Sequence, residues 1–135
     1  VSPEDQMQSP LETVRRYFDA LEDSDVDVLR SVLHPDVVQI EYPNQLSRKG
    51  SRRDLKAMME GFHAGKRVVT KQRYEIKNSI VDGEKVSLEV TWTATMAVPV
   101  LGKAAGEELR AFFAVFISLK DDRIIRQVNY DCFLP

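Results

Sequence analysis

Gln127, Asn129 and Asp131 occupy every second position in the run RIIRQVNYDCF, Arg123 to Phe133. Alternate residues of a strand share a face, so two amides and a carboxylate would stand in a row. An amide holds a carbonyl or a water but moves protons poorly. A carboxylate turned inward loses hydration, its pKa rises, and it enters the range where general acid–base catalysis works near neutrality. The other reading of Asp131 is a rim carboxylate paired with an arginine. Tyr17 adjoins the apolar stripe Leu11, Val14, Phe18 and Leu21. A phenol buried there needs a hydrogen-bond partner, either a ligand or, in a core tyrosine, the backbone. Trp92 and Met96 share an apolar strand face with Val86, Leu88, Val90 and Ala94, suited to a cavity wall or to plain core packing. His63, next to Phe62 at a helix end, is a further titratable group, and His34 ends the second helix.

These residues need elements to position them. Ser9-Pro10-Leu11-Glu12 is a helix start, with Ser9 as cap, Pro10 in the first turn and Glu12 completing a capping box. A second short helix opens at Ser24 to Asp27 and stops at His34-Pro35, because a residue before proline is pushed out of the helical region. Val37 to Pro43 reads as a strand. Gly50 and Ser51 introduce a third helix, with Ser51 and Asp54 at capping-box spacing and Leu55, Met58, Met59 and Phe62 on its inner stripe, fading between Gly61 and Gly65. From Arg67 the period changes to two, predicting strands over 67–81, 84–98, 107–119 and 123–133. Asp82-Gly83 and Asp121-Asp122 sit where tight hairpin turns are needed. Residues 1–8 read as a flexible N-terminal segment and 9–135 as one domain.

The chain of 135 residues is 43% hydrophobic, enough to bury roughly two-thirds of its unfolded surface in one core. Its 19 basic and 21 acidic residues and a pI near 5.7 give no general attraction for nucleic acid. The basic run SRKGSRRDLK, Ser47 to Lys56, lacks interleaved aromatics and reads as a solvated helix start. One cysteine, Cys132, excludes an internal disulfide and a thiolate zinc site, and two histidines exclude a three-histidine metal centre. GKAAG, Gly102 to Gly106, is too short for a phosphate loop. No metal, cofactor or nucleic acid is expected. There is no apolar run near 18 residues and no signal-peptide pattern in VSPEDQMQSP, so no membrane association is expected and the cytoplasm is the expected compartment.

The order of helix, helix, strand, helix and four strands, with VRRYFDALEDSDVDVLRSVLHPDVVQIEYP near the start, resembles the NTF2-like superfamily. Within it the chain is most similar to SnoaL-like and ketosteroid-isomerase-like proteins, from about Leu11 to Phe133. The resemblance implies an α+β fold: a curved antiparallel sheet wrapped as a cone around three helices of the N-terminal half, enclosing a pocket. It turns Gln127, Asn129 and Asp131 inward, and Arg126, Val128 and Tyr130 outward.

Tyr17 matches the tyrosine that donates to the developing enolate in ketosteroid isomerases, but Tyr42 stands where those enzymes have their base. Val115 stands where they have a second acid. The stretch Thr91 to Ala94 supplies none of the Asp-Arg-Asp set of limonene-type epoxide hydrolases. Tyr17, Tyr42 and Asn129 match positions used by scytalone-type dehydratases, with His63 as a candidate for one histidine. The expected function is therefore binding of a small apolar oxygenated molecule by a cofactor-independent lyase or isomerase. Asp131 would move the proton, and Asn129 and Tyr17 would hold the oxygen on which charge develops. Tyr42, Trp92, Met96, Val115, Gln127 and His63 would bind the ligand. The alternative is a non-catalytic ligand-binding or dimerisation module. Phe112, Ala114 and Phe116 beside Val128 and Tyr130 make an apolar outer patch, which, with the resemblance, points to a homodimer through the sheet faces.

Overall fold

The computed structural model describes residues 9–134; the segment 1–8, expected to be flexible, lies outside the described residues. Helix α1 spans Pro10–Asp23. Ser9 Oγ accepts from the Glu12 N–H at 3.1 Å, and proline at the first position loses no helical hydrogen bond. Ser24, left-handed at φ 54°, ends the helix. Asp25 then caps α2, Val26–Val32, by accepting from the Val28 N–H.

Strand β1, Leu33–Glu41, begins directly after α2, four residues earlier than the pattern predicts and before Pro35 is reached. The next segment also departs from expectation. Ser51–Arg53 forms a short strand, β2, paired antiparallel with β1. Ser51 therefore caps nothing. Asp54 caps α3, Leu55–Val68, accepting from the Ala57 N–H at 2.9 Å, and the helix continues past Gly61 and Gly65. The bend returning the chain to β1 depends on Gly50. Its φ is +69°, and a Cβ there would stand 2.5 Å from the Glu41 carbonyl oxygen, so only glycine fits.

Strands β3 (Val69–Asp82), β4 (Lys85–Met96), β5 (Glu108–Lys120) and β6 (Arg123–Phe133) follow within a residue or two of the expected limits. Asp121 and Asp122 both adopt positive φ, 53° and 60°, as a two-residue hairpin requires. The sheet order is β2-β1-β6-β5-β4-β3. It is antiparallel except between β1 and β6, which run parallel. The molecule is an α+β fold, three helices against the inner face of a curved, unclosed six-stranded sheet.

One core cluster joins Val14, Tyr17, Phe18, Leu29, Met58 and Met59 of the helices to Leu88, Val90, Val115 and Ile117 of the sheet. A second joins Trp92, Met96, Leu109, Ala111 and Phe133. A bulge at Ile125 sets the parity of β6. Arg126 pairs with Ser118 and Ile124 with Leu119, so Ile125 has no partner. Strict alternation puts Ile124 on the face of Arg126; the extra residue instead buries Ile124 on the face of Gln127. Among the described residues no helix is long and apolar enough to cross a membrane.

Candidate functional site

Strand β6 lies between β5 and β1, and its parallel register with β1 places Gln39 beside Gln127 and Glu41 beside Asn129. Laterally paired residues share a face, so β1 adds Gln39 and Glu41 to the inner row. Strand β2 extends it, with Arg53 opposite Gln39 and Ser51 opposite Glu41. Tyr17 of α1 covers the deep end.

A line of side-chain hydrogen bonds runs along β6. Gln127 Nε2 donates to Asn129 Oδ1 at 2.9 Å, and Asn129 Nδ2 donates to Asp131 Oδ1 at 3.3 Å. On β1, Glu41 Oε1 accepts from Ser51 Oγ at 3.3 Å. Gln127 is 2% exposed, and its Oε1 has no partner among the described residues. The Tyr17 hydroxyl is buried, and burial pushes its pKa up to about 12. The amides of Gln127 and Gln39 and the Arg53 guanidinium work the other way, as donors and a cation do. Tyr74 of β3 is raised further still, chiefly by burial and then by the charges of Tyr17, Asp131 and Glu22.

Asp131 is half-buried, and loss of hydration raises its carboxyl to about 7; Asn129 pulls it back, while Glu41 pushes it up through both charge and a side-chain hydrogen bond. Burial first, and then a second carboxylate alongside, favour the protonated form of Asp131. Such a carboxyl can take a proton from a carbon acid and return it.

The structure links Tyr17, Gln127, Asn129 and Asp131 in one polar corner, but the two ends of the line border different cavities. Asp131 opens on a surface cleft of about 650 Å³ lined also by Pro43, Asn44, Gln45, Arg48 and Cys132. Tyr17 borders an inner pocket of about 160 Å³ with Gln39 and Arg53. The expectation of one shared cavity is corrected accordingly. Gln45 fixes the wall of the outer cleft: its Nε2 donates to the Phe133 carbonyl and its Oε1 accepts from the Phe133 N–H, both at 3.2 Å.

Other expected ligand-binding residues lie elsewhere. Tyr42 is 42% exposed and stacks on the outward Tyr130, ring centres 4.7 Å apart. It follows Glu41 by one residue and takes the opposite parity. Trp92 and Met96 are packed in the second core cluster and Val115 in the first, and none of the three borders either cavity. The Trp92 N–H donates to Gln72 Oε1 at 3.0 Å. His63 is exposed on α3, edge-on to Phe62. Sequence reasoning missed Gln39, Glu41, Arg53 and Tyr74. The alternation of Gln39 and Glu41 within VVQIEYP was visible, but only the β1–β6 pairing shows which strand they join. Among the described residues no group of three or more His, Cys, Asp or Glu side chains could hold a metal ion.

These features, a curved sheet over three helices with a polar row at one end of its concave face, define the NTF2-like class. The SnoaL-like domain matches residues 14–127, and the chain belongs to that family. Comparison with curated proteins gives no sequence match. Solved structures share the fold. IdmH, a candidate polyketide cyclase from Streptomyces antibioticus, is 16% identical with a TM-score of 0.78, and the alignment covers 92% of each chain. A candidate SnoaL-like polyketide cyclase from Jannaschia sp. CCS1 is 21% identical with a TM-score of 0.72, covering 93% of this chain and 90% of that one. TerC, co-crystallised with polyporic acid, is 19% identical with a TM-score of 0.72, covering 90% and 91%.

Proposed function

We propose that this chain binds a small apolar oxygenated molecule and catalyses a cofactor-independent proton transfer of the lyase or isomerase kind, with Asp131 as the proton carrier. The observation that carries this reading is the Asp131 carboxyl, raised to about 7 beside Glu41 and opening on the cleft. At neutral pH such a group is present in both protonation states, as a base that must later act as an acid requires. Asn129 holds it in place and, with its amide, is poised for the substrate oxygen. Tyr17, at the far end of the line, keeps its proton throughout the working range and acts as a donor. Membership of the SnoaL-like family and the cyclase candidates among the structural relatives support the reading. The test is proton exchange at the activated carbon of enolisable ketones and polyketide-like enones, followed by NMR in deuterated water. Exchange that persists unchanged in Asp131→Asn removes the assignment.

A second reading, a non-catalytic binding module, is favoured by the packing of Trp92, Met96 and Val115 into the core instead of around a ligand. It predicts saturable binding with no exchange in the wild type.

The chain also forms a homodimer through the outer sheet face in this reading. Phe112, Phe116 and Tyr130 are 47%, 47% and 50% exposed, Tyr130 lies edge-on to Phe116 and stacked on Tyr42, and such a cluster is unusual on a solvated sheet. Light scattering at tens of micromolar that returns the monomer mass would sink it.

A further inference from the structure

We propose that the main-chain N–H and C=O of Asp131 form a recognition edge for an amide, so that the outer cleft takes a molecule carrying a primary carboxamide or a lactam. This inference deepens the proton-transfer reading and rests on it in one respect, that the cleft beside Asp131 is where the substrate binds.

Three observations carry it. The first is the direction of the backbone. Alternate residues of a strand turn their N–H and C=O groups toward the same neighbour. In β6 the odd-numbered positions face β1: the Asn129 carbonyl accepts from the Tyr42 N–H at 3.1 Å, and the Phe133 N–H and carbonyl both meet the Gln45 side chain. The even-numbered side faces β5, where the Leu134 N–H just beyond the strand donates to the Arg110 carbonyl at 2.8 Å. Asp131 lies between Asn129 and Phe133 and shares their direction.

The second is that β1 turns away before it reaches Asp131. The parallel pairing ends with Glu41 beside Asn129. Carried one rung further, it would set Pro43 beside Asp131 and would need the Tyr42 carbonyl and the Asn44 N–H as partners. Both are engaged inside the loop instead. The Tyr42 carbonyl accepts from Asn44 Nδ2 at 3.0 Å, and the Asn44 N–H donates to the Ser47 carbonyl at 2.9 Å. Pro43 has no N–H to offer. Asn44 Oδ1 also accepts from the Leu46 and Ser47 N–H groups, which fixes the loop in this course. Among the described residues no main-chain hydrogen bond reaches Asp131 from the β1 side, and the space left there is the cleft, with Pro43, Asn44 and Gln45 on the wall facing Asp131.

The third is a pattern the chain itself supplies at the next position of the same parity. The primary amide of Gln45 donates to the Phe133 carbonyl and accepts from the Phe133 N–H, both at 3.2 Å. Asp131 presents the same two groups in the same direction, and an amide brought by a ligand meets them in the same way. Such an edge discriminates by hydrogen-bond chemistry. An ester or a ketone accepts from the N–H but has no donor for the carbonyl, and a carboxylate sets a charged oxygen against it. The cleft, about 650 Å³, leaves room for the rest of the molecule against the apolar side chains of Pro43 and Leu101. An amide held on the main chain of Asp131 also keeps its substituents beside the carboxyl of that residue, which is where a carbon acid has to be.

The experiment compares acetoacetamide with methyl acetoacetate, two carbon acids of similar size of which only the first carries amide N–H groups, titrated against uniformly 15N-labelled protein by NMR at neutral pH. Acetoacetamide is expected to bind about 3- to 10-fold more tightly, the difference one neutral hydrogen bond makes, with its largest shift at the Asp131 amide. In Asp131→Asn the proton exchange should be lost while the affinity for acetoacetamide and the shift at the amide of position 131 remain, because the main chain is unchanged. Equal affinities in the wild type, no saturable binding of acetoacetamide, a largest shift away from Asp131, or loss of binding in a folded Asp131→Asn protein would each overturn the proposal. The wild-type comparison needs no variant, so a folding defect in Asp131→Asn leaves the decision intact. Proton exchange that persists in Asp131→Asn removes the proton carrier and leaves the amide preference standing, whereas equal affinities remove the amide edge and leave the carrier, so the two proposals fail separately.

Discussion

The two faces of β6 invert the usual order of a half-buried strand. The inner face carries Gln127, Asn129 and Asp131, joined side chain to side chain, where a core would ordinarily place aliphatics. The outer face carries Val128 and Tyr130, with Tyr130 half exposed and contacted by Tyr42 and Phe116, where solvent would ordinarily meet polar groups. Buried polar groups cost stability unless each finds a partner, and exposed aromatics gain by being covered. The inner face has met most of its demand within the chain, and the outer face has not. Each departure from ordinary patterning is what the two proposals rest on, a ligand on one side and a second copy on the other.

The largest expected effect breaks the inner face. Asp131→Asn keeps size and hydrogen bonding but removes the titratable group, and turnover should fall by a factor of about 10² or more. In the wild type, turnover that needs the carboxylate should rise with pH through about 7, the value to which burial raises Asp131. A pH profile that is flat between pH 5 and 8 would contradict the assignment.

Phe116→Glu breaks the outer face. Placed in the middle of the aromatic patch, a carboxylate would have to be desolvated on dimerisation, a cost of several kcal/mol for an unpaired charge. If the outer faces pair as proposed, sedimentation should show a dimer for the wild type and a monomer for the variant at the same concentration, with proton exchange retained if the inner face works within one subunit.

The same contrast has a thermodynamic signature. Asp131 titrates near 3.8 when unfolded and near 7 when folded, so between these values the native state holds more proton than the unfolded one. Its contribution to stability is fully present below about pH 4 and is lost as pH rises through about 7. Discounted for partial exposure, the loss is on the order of 1–2 kcal/mol. Urea denaturation at pH 5 and pH 8 should show this difference in the wild type and a smaller one in Asp131→Asn. An identical pH dependence in the two proteins would show that Asp131 is not the group responsible.

Much of the fold was legible because the residues that fix it act locally. Ser9 and Pro10 start α1, the Asp121-Asp122 pair turns the last hairpin, and the change of period at Arg67 announces the sheet. That Gln127, Asn129 and Asp131 share one face was legible for the same reason, whereas their inward direction followed only from the family resemblance. Ile124 was assigned to the wrong face because a bulge leaves no mark in an apolar run. Glu41 and Arg53 were missed, and Tyr42 placed on the wrong side, because their orientation depends on which strands become neighbours. The parallel β1–β6 pairing and the three-residue β2 are decided by tertiary contact, and Ser51-Arg52-Arg53 reads equally well as a helix start.

The smallest expected effect sharpens the role of Tyr17. Removing its hydroxyl in Tyr17→Phe changes volume little, so the ring contact with Phe18, centres 5.1 Å apart, should persist. What is lost is an acceptor for two amides and a donor to the inner pocket. Stability should fall by about 1 kcal/mol, the usual net worth of a buried hydrogen bond. If the hydroxyl serves only the hydrogen-bond line, Asp131 feels it weakly, turnover should drop less than about tenfold, and the apparent pKa near 7 should move little. If it touches the reacting oxygen directly, its loss should approach that of Asp131→Asn. The double variant then decides between the two. Effects that multiply place Tyr17 and Asp131 in separate cavities, as the geometry has them, whereas a double variant no worse than Asp131→Asn alone places both on one substrate.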